Sequence, residues 1–186
     1  MSRFDIIDTP IAGLKVVQRK PIRDARGYFS RFFCAEEFRQ AGLGSAISQI
    51  NHSYSKNAGT VRGMHFQMPP HAERKFVSCI CGEIFDVAVD LRRNSPTFLQ
   101  WHGEVLSEEN QRSLLIPEGF AHGFQTLTGD CELLYLVSAA YEPTAEKGLN
   151  AADPLLKIKW PLPISEMSDK DRNNAFLSSE FQGVEI

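Results

Sequence analysis

Glu83-Ile84-Phe85-Asp86-Val87-Ala88-Val89-Asp90-Leu91 is the best-patterned run of the chain. Phe85, Val87, Val89 and Leu91 alternate with Asp86, Ala88 and Asp90, so a strand here has one apolar face and one mixed face. Comparable short runs lie on both sides of it, at 14–18, 28–33, 47–53, 60–67, 75–80, 98–106, 112–116, 121–127 and 132–139, separated by Gly, Pro, Asn or Asp. That is too many strands for a simple open sheet, and they do not alternate with helices. The pattern predicts an all-β sandwich or barrel. Short helices are predicted at 35–40, stopped by Gly42, at 107–111, where Ser107 and Asn110 give a weak cap signal, and at 171–178. Residues 141–164, rich in Pro, Asp and Lys, read as a surface excursion back across the barrel.

At 186 residues, with 42% hydrophobic and 23% charged side chains, the chain is long enough to bury a core without staples. It reads as one domain over residues 1–186, with no repeat or internal boundary. A formal net charge of -3 offers no basic face for a nucleic-acid backbone. An anionic ligand must therefore be held by a few local cations. The start Met1-Ser2-Arg3-Phe4-Asp5 lacks the pattern of a secretory signal, and no apolar run reaches bilayer length, which predicts a cytoplasmic protein with no membrane partner. Cys34, Cys79, Cys81 and Cys131 form no CxxC pair and are expected as free, mostly buried thiols.

Pro117-Glu118-Gly119-Phe120-Ala121-His122 matches the Pro-x-Gly-x-x-His turn that places a histidine at the mouth of cupin barrels. A metal-binding cupin also needs an earlier His-x-His with a following Glu. Here Met64-His65-Phe66-Gln67 has one histidine, with Gln67 in place of the second. No metal and no cofactor are expected. His65 is then a candidate acid or base, since imidazole moves protons near neutral pH, and the alternative is a hydrogen-bonded core histidine. The polar crowding of Gln49-Ile50-Asn51-His52-Ser53 and Arg62-Gly63-Met64-His65-Phe66-Gln67 favours a ligand site. Arg62 and His65 are an odd number of residues apart and would face opposite sides of a regular strand. A bulge at Gly63 would bring both to one cavity; without it Arg62 points to solvent.

These blocks, with Asp24-Ala25-Arg26-Gly27-Tyr28-Phe29, Lys75, residues 85–90, 116–124 and 132–135, Tyr141 and Ser168-Asp169-Lys170-Asp171, resemble the dTDP-4-dehydrorhamnose 3,5-epimerase family of cupin-like barrels. The resemblance covers nearly the whole chain. It implies a cupin-type jelly-roll barrel or sandwich with a few short peripheral helices, and an enzyme that inverts carbon 3, carbon 5 or both of a nucleotide-linked 4-keto sugar. By this resemblance His65 is the base, Asp171 its carboxylate partner, Lys75 the cation facing the keto oxygen and Tyr135 the acid on the opposite face. Arg26 and Arg62 would clamp the pyrophosphate, Phe29 would meet the base, and Gln49, Asn51, His122 and Tyr141 would line the sugar and phosphate path. A homodimer is implied, with N-terminal strands extending a neighbour's sheet.

Two positions depart from the family. Arg31 stands where a glutamate usually reaches the thymine base, and Leu136 stands where a lysine usually follows the catalytic tyrosine, which predicts a less polar surrounding for Tyr135. Three other readings compete: a nucleotide-sugar ketoisomerase, a noncatalytic nucleotide-sugar-binding barrel, and a metal-dependent cupin. Joint presence of His65, Tyr135 and Asp171 argues against the second, and the missing His-x-His against the third.

Overall fold

The chain forms two stacked antiparallel sheets in a computed structural model that describes residues 2–42 and 46–186. In chain order the elements are β1 (Phe4–Asp8), β2 (Lys15–Arg19), β3 (Ile22–Asp24), β4 (Gly27–Phe29), α1 (Ala35–Gln40), β5 (Gln49–Ser55), β6 (Val61–Gln67) and β7 (Lys75–Cys81). They continue as β8 (Glu83–Asp90), β9 (Trp101–Ser107), β10 (Arg112–Ile116), β11 (Phe120–Thr126), β12 (Cys131–Val137), β13 (Glu146–Gly148) and α2 (Asp169–Arg172). One sheet runs β1-β2-β10-β7-β12-β5 and the other β13-β6-β11-β8-β9. Strands distant in sequence lie side by side, as in a jelly roll, and the all-β cupin-type expectation is met.

The core has three layers. Between the sheets lie Val16, Val77, Leu114 and Leu133 from one and Ile84, Ala88, Leu106, Phe120 and Phe124 from the other. On the outer face of the larger sheet, Phe76, Leu115 and Leu136 meet Phe38 of α1. On the outer face of the smaller sheet, Met64, Phe66, Val87, Val89 and Ala121 are covered by Leu149, Leu156, Leu177 and Val184 of the C-terminal third. The central strands of both sheets are thus covered on both sides, while edge strands β1 and β5 are mostly exposed. This explains why β8 reads as it does: its apolar face, Val87 and Val89, lies under the C-terminal wrap, and its mixed face carries Asp86 and Ala88 into the barrel.

Several expectations need correction. The strand expected at 28–33 ends at Phe29, because β3 and β4 close a small hairpin on themselves and residues 30–34 leave it. Residues 108–110 make a turn rather than a helix, with Ser107 and Asn110 bonding each other's backbone. The last helix starts earlier and is shorter than expected, and β1 was not foreseen. The 141–164 excursion does cross the barrel, but it also adds β13 to the smaller sheet, paired with β6. All four cysteines are free, Cys79 and Cys131 buried and Cys34 and Cys81 half-buried. Among the described residues no helix is long and apolar enough to cross a membrane.

Candidate active site

The site begins with a break in regular pairing. Along β6 and β11, His65 faces His122 and Arg62 faces Phe124, so three steps on one strand match two on the other. The extra residue is a bulge, and it contains Gly63 at φ +124°. A Cβ there would lie 2.5 Å from the Gly123 Cα, which only glycine avoids. The bulge cancels the parity mismatch: Arg62 and His65 line the same pocket, as the sequence reading required of a kink at Gly63.

That pocket, with a volume of about 290 Å³, lies between the two sheets. Gln49, Asn51 and Ser53 reach it from β5, His65 from β6, Lys75 from β7, His122 from β11 and Tyr135 from β12. Tyr141 stands at its mouth. Eight expected residues therefore converge, with Asp171 directly behind His65.

Asp171 is positioned by its helix. Ser168 caps α2, its Oγ accepting the Asp171 backbone N–H at 3.1 Å, so Asp171 occupies the third helical position. Its carboxylate turns inward. Oδ2 accepts the Gly63 N–H at 3.3 Å, and Oδ1 accepts from His65 Nε2 at 2.6 Å. Burial opposes ionisation of Asp171, but the hydrogen bond and charge of His65, with Gly63 and Ser168, hold its carboxyl below the ordinary value. With Nε2–H donated to a carboxylate, the imidazole keeps its lone pair on Nδ1. This is a base with a built-in counter-charge.

Tyr135 is different. It is half-buried, packs on the core between the sheets, and its hydroxyl is 3.0 Å from Ser53 Oγ. Burial pushes its phenol well above the ordinary value; Ser53 opposes that rise and Asp86 adds to it. Tyr135 therefore holds its proton at neutral pH. His122 lies edge-on to the Tyr135 ring at 6.2 Å and pairs with buried Asp86 at 2.7 Å. Lys75 places its ammonium 3.1 Å from Glu73 and 3.4 Å from the His65 carbonyl oxygen. Arg62 is held by Ser55 Oγ and the Tyr54 carbonyl, and Gln49 accepts the Tyr141 N–H.

Arg26 and Phe29 do not join the others. They sit on the β3–β4 hairpin, the Arg26 side chain 89% exposed and Phe29 69% exposed, with Arg26 paired to Asp24. Leu136 also departs from expectation. It alternates with Tyr135 along β12, faces α1 and is buried with Phe38 and Phe76, so it does not set the polarity around the phenol. Arg31 lies 3.6 Å from Glu37, outside the pocket.

Sequence reasoning did not single out Ser53, Glu73, Glu146 or Asp86 as site residues. Ser53 shares strand parity with Gln49 and Asn51, which is the signal that could have found it. Glu146 comes from the C-terminal excursion, where it accepts from Tyr141 and Lys170, and nothing local marks it. Gln67, in the second metal-histidine position, spends its amide on the His71 and Ala140 carbonyls and the Glu142 N–H. Among the described residues no three His, Cys, Asp or Glu side chains cluster as metal ligands.

Residues 8–179 match the family model described as dTDP-4-dehydrorhamnose 3,5-epimerase. The dTDP-4-dehydrorhamnose 3,5-epimerase of Shigella flexneri is 41% identical over 171 residues, 91% of this chain and 94% of that protein. The crystal structure of the Bacillus anthracis enzyme of that name, with TDP and pyrophosphate bound, superposes with a TM-score of 0.91 at 40% identity, covering 94% of this chain and 99% of that one. The Legionella pneumophila dTDP-6-deoxy-D-glucose-3,5-epimerase, in complex with dTDP-4-keto-L-rhamnose, gives 0.90 at 38% identity, covering 97% of this chain and 98% of that one.

Proposed function

The chain belongs to the dTDP-4-dehydrorhamnose 3,5-epimerase family, and from that premise we propose how its pocket divides the work of inverting a carbon. The activity is epimerisation at carbon 3, carbon 5 or both of a nucleotide-linked 4-keto-6-deoxy sugar. His65 takes the proton from the carbon beside the ketone through Nδ1, and Asp171 stabilises the imidazolium that forms. The electron pair of the broken C–H bond moves to the ketone oxygen, where the Lys75 ammonium stabilises the enolate. Tyr135 gives a proton to the other face of the flat intermediate. The proton leaves and returns without redox change, so no cofactor is consumed.

The observation that carries this reading is that a histidine with a carboxylate at 2.6 Å and a tyrosine line one pocket from different sheets. A binding barrel needs neither. Arg62 takes the pyrophosphate, while Gln49, Asn51, His122 and Tyr141 line the path of sugar and phosphate. The relatives that hold TDP or a dTDP sugar support a thymidine diphosphate carrier. Arg26 and Phe29 meet the nucleotide of a second copy in a homodimer, a reading supported by exposed Ile22, Tyr28 and Phe29 on the hairpin and exposed Ile50 and Tyr54 on edge strand β5.

The test is incubation in deuterated water with dTDP-, CDP- and GDP-linked 4-keto-6-deoxy sugars, mapping exchanged carbons by NMR. Deuterium next to the ketone with inversion is expected for the dTDP sugar. No exchange with any of them would overturn the reading. A dimeric mass by sedimentation is expected, and a monomer at working concentration would remove the role given to the hairpin.

A further inference from the structure

Ser53 Oγ is the one hydrogen-bond partner of the Tyr135 hydroxyl among the described residues, at 3.0 Å, and either oxygen can be the donor. The contact follows from register. On the paired strands β12 and β5, Tyr135 stands opposite Asn51 and Leu133 opposite Ser53, so the serine is the diagonal neighbour that a long side chain can reach. Ser53, Asn51 and Gln49 all turn to the pocket, and Ser53 is half-buried there. Its hydroxyl has no other partner among the described residues, so it is free to rotate.

A half-buried phenol, packed on the core, that gives its proton to carbon becomes a phenolate in a poorly solvated place. Around Tyr135, burial against the core between the sheets and the nearby carboxylate of Asp86 resist that charge, while the Arg62 guanidinium favours it. Arg62 acts at a distance, and among the described residues Ser53 is the one hydrogen-bonding group at the phenolate oxygen itself. We infer that Ser53 is a positioning residue for the acid, its hydroxyl accepting the phenol O–H in the resting pocket and turning to donate to the phenol oxygen when that proton is directed to carbon, so that the phenolate forms already hydrogen-bonded. In the step itself the phenol O–H bond breaks and the carbon–hydrogen bond forms from the enolate electron pair. The phenolate keeps the O–H pair and later regains a proton from water. The inference rests on the reading of Tyr135 as the acid.

The experiment compares Ser53→Ala and Ser53→Thr with the parent on a dTDP-linked 4-keto-6-deoxy sugar in deuterated water, following exchange and inversion separately. A hydrogen bond to a charged group predicts inversion slower by about 10- to 100-fold in Ser53→Ala. Exchange through His65 should stay within about twofold, KM should be unchanged, and Ser53→Thr should restore most of the inversion rate. Adding Ser53→Ala to Tyr135→Phe should cost nothing further. Equal slowing of exchange and inversion, inversion unchanged in Ser53→Ala, or an additive double variant would each overturn the inference. Tyr135→Phe inverting at the parent rate would instead remove the acid assignment, and this inference with it.

Discussion

His65 on β6 has a buried carboxylate 2.6 Å behind it, whereas the Tyr135 hydroxyl on β12 has, among the described residues, a serine hydroxyl at 3.0 Å as its one hydrogen-bond partner. The difference matches the charge each side chain must carry. A neutral imidazole that accepts a proton becomes a cation, and a counter-charge lowers the cost of forming it. A phenol that donates must first keep its proton, so it packs on the apolar core near Asp86, with a serine hydroxyl that can either accept or donate. The pocket is asymmetric because the two halves of an inversion have opposite electrostatic needs.

The largest effect should come from His65→Asn, which removes the base and leaves the cavity. Both deuterium exchange and inversion should fall by about 10³- to 10⁴-fold. Exchange at the parent rate would mean that the His65 wall is not the basic one. Tyr135→Phe should separate the walls: inversion falls by about 10³-fold while part of the exchange survives. In the parent, raising the pH from 7 to 10 should not disable the acid, because the phenol holds its proton beyond its ordinary value of 10.0. A loss of inversion, with exchange intact, well below pH 10 would break that side of the comparison.

Asp171→Asn should slow exchange and inversion together, by roughly 100-fold, since it acts through the base alone. It should also change the acid dependence of stability. The Asp171 carboxyl is held below its unfolded value of 3.8, so its ionisation stabilises the fold fully above that value, and the benefit is lost as pH falls through the folded pKa. The Tm gap between parent and variant should therefore narrow on going from pH 6 to pH 3, and a gap that widened would contradict the pairing. The last effect is read on stability, for Gly63→Ala. Strain at φ +124° and the close Gly123 backbone should cost about 2–3 kcal/mol, read as a Tm lower by roughly 5–10 °C.

Much of this was legible along the chain. Period-two alternation marked the strands, since a side-chain repeat of two survives any arrangement of sheets. The lone His65, the absent His-x-His and the Gly63 kink were readable because each is a local pattern. Asp171 was reached only through family resemblance, and its capping by Ser168, three residues earlier, is the local feature that supports it. Leu136 misled because its neighbour on the chain is Tyr135, yet alternation sends the two side chains to opposite faces of β12. Glu73 and Glu146 carried no signal, being charged residues in a loop and in an excursion.

By itself the sequence determined the class of fold, the list of groups able to move a proton, and Gly63 as the position at which a strand could be interrupted. Only the tertiary structure decided which face of each strand looks into the barrel, that Asp171 from the far end of the chain stands behind His65, and that Arg26 and Phe29 stand away from the pocket of their own chain. The reason is physical: alternation specifies that a strand has two faces, but here both faces of the central strands are covered, and it is the packing of distant segments that makes one a pocket and the other a core.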